Sequence, residues 1–295
     1  MRHRVLRAAI AAFAVAAMAR PPVASAQDHA AALAPFDRAP FAFSLSGSAT
    51  QGGLLIGRAA PQSSVTLDGK PLAITQDGAF VVGFGRDHGL TAALEVSVHR
   101  GPRERIVLTV VPRVFAIQRI TGVAQKYVEP SPADLKRIEE ERRLIREARA
   151  KLTLASDFAA GFVWPLTGII TGVYGSQRVF NGQPRAPHLG VDIAGPRGAP
   201  IVAAADGTVA LAGPDLFFNG NVMILDHGLG LTTVYAHMDE FAVAPGARVT
   251  KGQVIGTVGA TGRATGPHLH WGANLGGAGL DPQLLVGPMP ATPAK

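Results

Sequence analysis

The sequence predicts a mainly β protein, with a C-terminal all-β domain preceded by a small β-sandwich domain and one amphipathic helix. The 295-residue chain contains 35 glycines and 22 prolines, and this richness favours turns between short strands. Short runs of alternating or β-branched residues lie between those turn residues, as is typical of strands. Hydrophobic residues make up 47% and charged residues 17% of the chain, which excludes disorder over its whole length.

Residues 1–26 have the layout of a secretory signal peptide. A basic stretch over residues 1–7 is followed by an alanine-rich apolar run over residues 8–19, two prolines, and a small-residue cleavage site at residues 24–26. The alternative is a membrane anchor, but the apolar run is shorter than the ~20 residues that cross a bilayer. We therefore expect an exported protein of the periplasm or cell envelope, with no membrane span in its mature form.

The composition excludes several functional classes. The formal net charge is +7, but residues 1–26 contain four arginines and no acidic residue, so the remainder carries only +3. No zinc finger, helix-turn-helix or aromatic–basic RNA-binding motif accompanies this charge, so we expect no nucleic-acid partner. Cysteine is absent, which excludes disulfides, a thiolate zinc site and a cysteine nucleophile.

Residues 27–40 are predicted to be a leader, and residues 41–130 a small β-sandwich domain. Alternating apolar and polar residues and a β-rich run at residues 106–111 indicate strands. Asp68-Gly69 and Asp77-Gly78 are turn dipeptides between such runs. Several short strands in so short a segment are typical of an immunoglobulin-like sandwich.

Residues 131–153 are predicted to form an amphipathic helix or linker. Ser131 suits the N-cap, Pro132 suits the first helical position, and Asp134 stands three residues after the cap, as in a capping box. We expect the helix to pack on its own protein, and the alternative is a spacer, hinge or partner-binding helix. The predicted apolar stripe with its flanking residues consists of Leu135, Ile138, Leu144, Ile145, Ala148 and Leu152.

The composition shifts again at residue 161, where glycine becomes frequent. Residues 161–287 are predicted to form the second, compact all-β domain, and residues 288–295 a tail. Short apolar runs alternate with glycine turns throughout this segment. The clearest predicted strands are residues 200–204, 221–226, 231–235 and 253–258.

Four histidines and one aspartate of this segment form a candidate metal site. His188 and Asp192 are four residues apart, and His268 and His270 are two apart. Glycine, valine and proline around them favour strands, in which residues at even separations share a face. Leu269 is then expected to point to the core, and His237 lies on a third segment.

Imidazole and carboxylate groups are suitable zinc ligands at about 2.0–2.2 Å. Three protein ligands leave a position for water, whose pKa falls to about 7 on zinc, and the spare imidazoles can take its proton and stabilise an oxyanion. Such a site hydrolyses amides. The spacing leaves open whether His268 or His270 binds the metal. It also leaves open an Fe(II) oxygenase, which uses two histidines and one carboxylate.

Four strings in this segment occur in order in a known family. They read H-L-G-V-D-I-A from His188, G-N-V-M-I-L-D-H-G-L-G-L-T-T-V-Y-A-H-M from Gly220, V-T-K-G-Q-V-I-G-T-V-G-A-T-G from Val249 and T-G-P-H-L-H-W-G from Thr265. The segment from about Val163 to Leu285 resembles the lysostaphin-type (LytM-domain) zinc metalloendopeptidases of peptidoglycan.

The resemblance implies roles for the five candidate residues. By this likeness His188, Asp192 and His270 are the ligands of one Zn²⁺ per chain, and zinc is favoured over iron. His237 and His268 are then the catalytic pair that does not bind the metal. No expected catalytic position is missing from the sequence.

We therefore expect an exported zinc metalloendopeptidase whose partner is peptidoglycan and which cuts stem or cross-link peptides through a zinc-bound water. The alternative hypothesis is a non-hydrolytic, wall-binding regulator of a partner amidase, because such regulators share the signal peptide and an extra β domain. His227 is interpreted as structural because it lies at a turn. The basic stretch from Arg178 to Arg185 is not placed among the site residues.

Overall fold

The structure is a computed structural model that describes residues 43–290. The predicted signal peptide and leader lie outside the described residues, as do residues 291–295 of the predicted tail. Residues 43–290 form twenty strands and two α-helices, so the predicted mainly β class is confirmed. Neither helix in that range is both long and apolar enough to cross a bilayer.

The first seven strands form two antiparallel sheets, ordered β1-β2-β5 and β4-β3-β6-β7. Leu55 and Phe80 from the first sheet pack with Leu94 and Leu108 from the second, so the sheets enclose one core as a sandwich. The strands are β1 (Phe43–Gly47), β2 (Leu54–Ala59), β3 (Ser64–Leu67), β4 (Lys70–Leu72), β5 (Ala79–Gly83), β6 (Thr91–Ser97) and β7 (Arg103–Thr109).

The Asp68-Gly69 dipeptide forms the turn between β3 and β4, as its sequence predicts. Both residues have positive φ, at 48° and 75°, which is the conformation that a two-residue hairpin of this kind requires. The outer face of the β1-β2-β5 sheet is also covered. Leu54 and Val81 pack there against Phe158, Leu231 and Leu280 of the later segment, so this sheet is buried on both sides.

Strand β8 (Ile117–Ile120) and helices α1 (Gln125–Val128) and α2 (Pro132–Ala150) follow. The predicted capping box is present: the Ser131 side chain accepts a hydrogen bond from the Asp134 backbone N–H, and the Asp134 carboxylate accepts one from the Ser131 backbone N–H. Two salt bridges, Arg137–Glu141 and Arg143–Glu147, connect successive turns of α2.

The predicted apolar stripe of α2 is only partly correct. Ile138 is buried, and Ile145 and Ala148 pack against a cluster that includes Leu216 and Val222. The predicted stripe is too wide. Only a narrow strip of the helix surface contacts the rest of the protein, and the other leucines lie outside this contact surface. The leucines that are exposed instead are Leu135, Leu144 and, past the end of the helix at Ala150, Leu152.

The C-terminal strands are β9 (Ile170–Gly172), β10 (Gln177–Phe180), β11 (Gln183–Pro184), β12 (Val191–Ala194), β13 (Pro200–Val202), β14 (Gly207–Leu216), β15 (Gly220–Asp226), β16 (Leu231–Phe241), β17 (Arg248–Val249), β18 (Val254–Val258), β19 (His268–Leu275) and β20 (Ala278–Leu280). Most belong to one large sheet whose main path is β17-β14-β15-β16-β19-β12-β9. Tyr235, Trp271 and Ile193 are fully buried in its core.

One small sheet joins the two halves of the chain. Strand β8 runs parallel to β10, with Ile117 opposite Gln177 and Ile120 opposite Phe180, and β11 pairs with β10 on its other side. β8 lies within residues 41–130, the segment predicted as the sandwich domain, yet it pairs with the later segment. The predicted domain boundaries stay a prediction.

Candidate metal centre and cleft

His188, Asp192 and His270 meet at one point of the large sheet. Asp192 in β12 lies directly opposite His270 in β19, because the two strands pair antiparallel in that register. His188 does not lie in a strand, contrary to the prediction. It belongs to the loop before β12, where its backbone is hydrogen-bonded to Gly175 and Ser176. That pairing, rather than strand alternation, brings the imidazole back over Asp192.

The three facing atoms form a nearly equilateral triangle. His188 Nε2 lies 3.0 Å from Asp192 Oδ1 and 2.9 Å from His270 Nδ1. His270 Nδ1 is 2.9 Å from the same Asp192 oxygen. Ligands held about 2.0 Å from a tetrahedral ion are about 3.3 Å apart, so this triangle fits a zinc-sized cation.

The protonation of the triangle also favours a cation. The Nδ1–H of His188 donates to the Val173 carbonyl at 3.2 Å, which leaves a lone pair on Nε2. Burial lowers the pKa of His188 to about 4, so the imidazole is neutral near pH 7. A single proton shared among the three facing atoms can form only one hydrogen bond, along one edge of the triangle. Along the other two edges lone pairs face each other, and a bound cation would remove their repulsion.

The Asp192 carboxylate is ionised and held from both sides. Burial acts to raise its pKa, but the close approach of the His188 and His270 imidazoles outweighs burial, and the pKa lies well below its ordinary value. While Oδ1 faces the imidazoles, Oδ2 accepts a hydrogen bond from Arg178 at 2.8 Å. Arg178 and Asp192 are both largely buried, so this ion pair fixes the orientation of the carboxylate.

Two glycines make room for this group. A Cβ built on Gly172, which pairs with Asp192 across β9 and β12, would lie 2.3 Å from Asp192 Oδ2. A Cβ on Gly190 would lie 2.7 Å from His270 Cε1. At both positions the absence of a side chain lets the triangle close.

His237 and His268 form a second pair beside the triangle. Their ring centroids are 4.7 Å apart, and the His237 ring lies 6.2 Å from that of His270. His237 lies in β16 and His268 begins β19, so the structure brings all five predicted residues together. Leu269, between the two histidines of β19, is fully buried on the opposite face, as expected.

Both imidazoles of the pair are oriented through Nδ1. The Nδ1–H of His237 donates to the Thr261 carbonyl and that of His268 to the Gly266 carbonyl, each at 2.8 Å. Each ring therefore keeps Nε2 for the cleft. Burial, with the nearby His268 and His270 rings, lowers the pKa of His237 to about 3, so this imidazole is neutral near pH 7.

The backbone of His237 is strained. Its φ is +63°, in the left-handed region that non-glycine residues rarely adopt. A register shift in the pairing of β15 with β16 lies next to it, between Asn221 and Met223. Such a conformation costs about 1–3 kcal/mol and persists only where the surroundings impose it. Here it aims the imidazole into the cleft from a strand whose residues 231–238 are buried.

Two cavities flank the metal centre. One, of about 630 Å³, is lined in part by Asp192, His237 and His268, and the other, of about 470 Å³, by His188 and His270. Both share four wall residues, which are Tyr127, Arg178, Phe180 and Arg263. Tyr127, on α1, donates a hydrogen bond through its hydroxyl to the Gly262 carbonyl at 2.9 Å, so the chain before α2 closes one side of the cleft.

These wall residues were not identified as site residues from the sequence. Arg178 belongs to the basic stretch that the sequence analysis did not place among the site residues. It differs from the neighbouring arginines only by its contact with Asp192. Arg263 stands five residues before His268, and this proximity was the one signal that could have found it. Tyr127 carries no local signal, since its role depends on packing between distant segments.

His227 is fully buried and lines neither of the two cavities. Its Nδ1 is 2.6 Å from the Asp206 carbonyl and its Nε2 is 2.7 Å from Thr233 Oγ1, so both ring nitrogens have partners. The ring also packs edge-on against Phe162. These contacts support the structural interpretation of His227.

Comparison with known proteins identifies related chains. A sequence profile of peptidase family M23 matches residues 186–282. The crystal structure of an M23 protein from Pseudomonas aeruginosa is 30% identical, has a TM-score of 0.62, and its match covers 81% of this chain and 96% of that one.

Two curated proteins match the C-terminal segment. The DD-carboxypeptidase/endopeptidase Mpg of Neisseria meningitidis is 43% identical over 103 residues, which are 35% of this chain and 24% of that protein. The peptidoglycan DD-endopeptidase ShyC of Vibrio cholerae is 42% identical over 98 residues, or 33% and 22%. The match therefore spans less than a quarter of the length of either curated relative.

Proposed function

The chain belongs to peptidase family M23, and on this premise we propose that it is an exported zinc metalloendopeptidase that cuts stem or cross-link peptides of peptidoglycan. The observation that carries the proposal is the meeting of His188, Asp192 and His270 with His237 and His268 between two cavities. The curated relatives, a DD-carboxypeptidase/endopeptidase and a peptidoglycan DD-endopeptidase, support the substrate class.

In this proposal His188 Nε2, Asp192 Oδ1 and His270 Nδ1 hold the zinc ion. Bound zinc supplies a Lewis acid and lowers the pKa of a coordinated water to about 7. The facing lone pairs and the two side-chain-free positions at Gly172 and Gly190 support this assignment. Arg178 holds the second carboxylate oxygen and so keeps Oδ1 turned toward the imidazoles.

His237 and His268 would handle the proton and the developing charge. Each has its Nδ1–H fixed on a backbone carbonyl, so Nε2 is the atom that exchanges a proton in the cleft. A neutral Nε2 of one imidazole would accept the proton of the attacking water and return it to the leaving amine, and the other imidazole would stabilise the oxyanion through an N–H when it is protonated at Nε2. Positioned imidazoles of this kind contribute about 10²–10⁴-fold to a rate.

Export is part of the same proposal. The basic, apolar and small-residue sections of residues 1–26 support cleavage near residue 26 and delivery to the periplasm or cell envelope. A wall-cutting peptidase needs that location to reach its substrate.

The decisive experiment is digestion of purified sacculi by the full chain, with mass spectrometry of the released fragments and metal analysis of the same sample. We expect about one zinc per chain and new fragments whose termini identify a cut peptide bond. A chelator should stop release, and added zinc should restore it. Iron in the sample, with turnover of 2-oxoglutarate, would instead support the oxygenase alternative.

The regulator alternative predicts the opposite result in the same assay. It requires that no fragment appear at any zinc level, while the chain stimulates fragment release by a separate amidase.

Replacing Gly172 with alanine should weaken zinc binding by about 10–100-fold, the usual effect of disturbing a residue that supports a ligand. The new methyl group would meet Asp192 Oδ2 and displace the carboxylate from Arg178. Zinc affinity is measured by competition with a chelator of known affinity. Gly89→Ala is the matched control, because a Cβ there meets no atom within 4 Å. Equal affinities for the two variants would contradict the assigned geometry.

A further inference from the structure

The cleft carries an excess of positive charge beside the metal centre. Among the described residues, the smaller cavity is lined by four arginines and by no aspartate or glutamate. The larger cavity is lined by two of these arginines and by one acidic residue, Asp192. The four arginines are Arg142, Arg178, Arg185 and Arg263.

Three of the four arginines are engaged by neighbouring groups. Arg178 is paired with Asp192 at 2.8 Å, and Arg142 lies 3.8 Å from Glu139. Arg185 donates to the Val128 carbonyl at 2.7 Å and to the Gln183 side-chain oxygen. Their positions are therefore explained by contacts within the protein.

Arg263 is different, because its guanidinium has no hydrogen-bond or ion-pair partner among residues 43–290. The group is held by aromatic rings instead: its central carbon lies 4.9 Å from the centroid of Phe180 and 4.6 Å from that of Phe218. Burial, followed by the charges of Arg178 and Arg185, lowers the pKa of Arg263 to about 10, so the group remains charged near pH 7. A largely buried cation is thus fixed in place without an anion.

Such a group is suited to bind a carboxylate. A guanidinium offers N–H donors in a planar fork that matches the two oxygens of a carboxylate, and stacking on Phe180 and Phe218 reduces the entropy lost on binding. Arg263 lines both cavities, so a peptide lying across the metal centre passes it on either path. A stem peptide that is not capped at its C-terminus carries such a carboxylate.

We propose that Arg263 is a specificity-determining residue that binds a free carboxylate of the substrate peptide close to the scissile bond. This inference rests on the proposed function, because the ligand is a peptide of the same substrate class. It adds the prediction that the protein distinguishes a peptide with a free carboxylate from the same peptide with a carboxamide.

The test compares the binding of two forms of one muropeptide to the full chain. One form has free carboxylates, and the other has been amidated with ammonia and a carbodiimide. Calorimetry is performed in a His237→Ala background, in which hydrolysis of either form is slowed enough for binding to be measured. We expect the free form to bind at least ~10-fold more tightly, as for hydrogen bonds to charged groups. Arg263→Met should reduce that ratio to below about 3, and Arg263→Lys should give an intermediate ratio.

Arg105→Met is the matched control, since Arg105 is exposed on β7 and far along the chain from the cleft. Zinc content and melting temperature are measured for every variant, so that a folding defect is recognised. An unchanged ratio in Arg263→Met, or equal affinities for the two forms in the parent, would overturn the inference. A third outcome separates the two proposals: the protein with His237 intact releases no fragments from sacculi, but the affinity ratio still depends on Arg263. This result would refute the proposed hydrolysis and support the carboxylate-binding site.

Discussion

Replacing His188 with alanine should remove both the zinc and the peptidase activity. His188 Nε2 is one corner of a triangle whose edges are 2.9–3.0 Å, and its loss leaves two ligands, too few for a stable site. Without the ion the reaction loses several kcal/mol of transition-state stabilisation, or about 10³-fold or more in rate. Zinc per chain, determined by mass spectrometry, should fall from about one to near zero, and sacculi should release no new fragments.

His99→Ala is the matched control for this variant, because His99 is exposed and distant in sequence from the cleft. It should keep both zinc and activity. His270→Ala should behave as His188→Ala does, whereas His268→Ala should keep its zinc. If His268→Ala lost its zinc and His270→Ala kept it, the roles assigned to the two histidines of β19 would have to be exchanged.

Replacing His237 with alanine should leave zinc bound and lower turnover by about 10²–10⁴-fold. The residue lies beside the triangle, with its ring 6.2 Å from that of His270, so it is not needed to hold the ion. Its Nε2 is, however, positioned for proton transfer by the bond from Nδ1 to the Thr261 carbonyl. Zinc content and the initial rate of fragment release are measured on the same preparation.

The backbone at residue 237 calls for a second variant. Alanine is disfavoured at a φ of +63°, whereas asparagine, like histidine, is among the non-glycine residues found most often in that region. His237→Asn therefore keeps the chain path while removing the imidazole, and it should be as inactive as His237→Ala but more stable to heat. Full activity in either variant would refute the catalytic role. Loss of zinc from both would make His237 part of the metal site instead.

Much of the fold could be predicted because local chemistry and tertiary packing agree. The Ser131–Asp134 capping box and the Asp68-Gly69 turn depend only on neighbouring residues, and both occur as predicted. The apolar stripe of α2 was less predictable. A helical pattern indicates which residues share a face, but the exposure of Leu135 and Leu144 depends on the width of the surface against which the helix packs.

The candidate site, too, could be predicted only in part. The spacing predicted that His268 and His270 share a strand face, and the family resemblance, not the spacing, favoured His270 as the partner of Asp192. In the structure Asp192 pairs directly with His270. His188 was wrongly predicted to lie in a strand. It reaches Asp192 from a loop whose backbone is hydrogen-bonded to Ser176. Arg178, Arg263 and Tyr127 acquire their roles from segments that approach only in three dimensions, and no pattern along the chain contains that information.

The parallel pairing of β8 with β10 has a practical consequence for dissecting this protein. Arg178, which donates a hydrogen bond to Asp192, lies in β10 opposite Gln118 of β8. A fragment cut at residue 161 would retain all five histidine and aspartate candidates yet lose the neighbour against which β10 is aligned. The excised fragment would then have an unpaired strand edge beside the candidate metal site, where it could fray or associate with another copy.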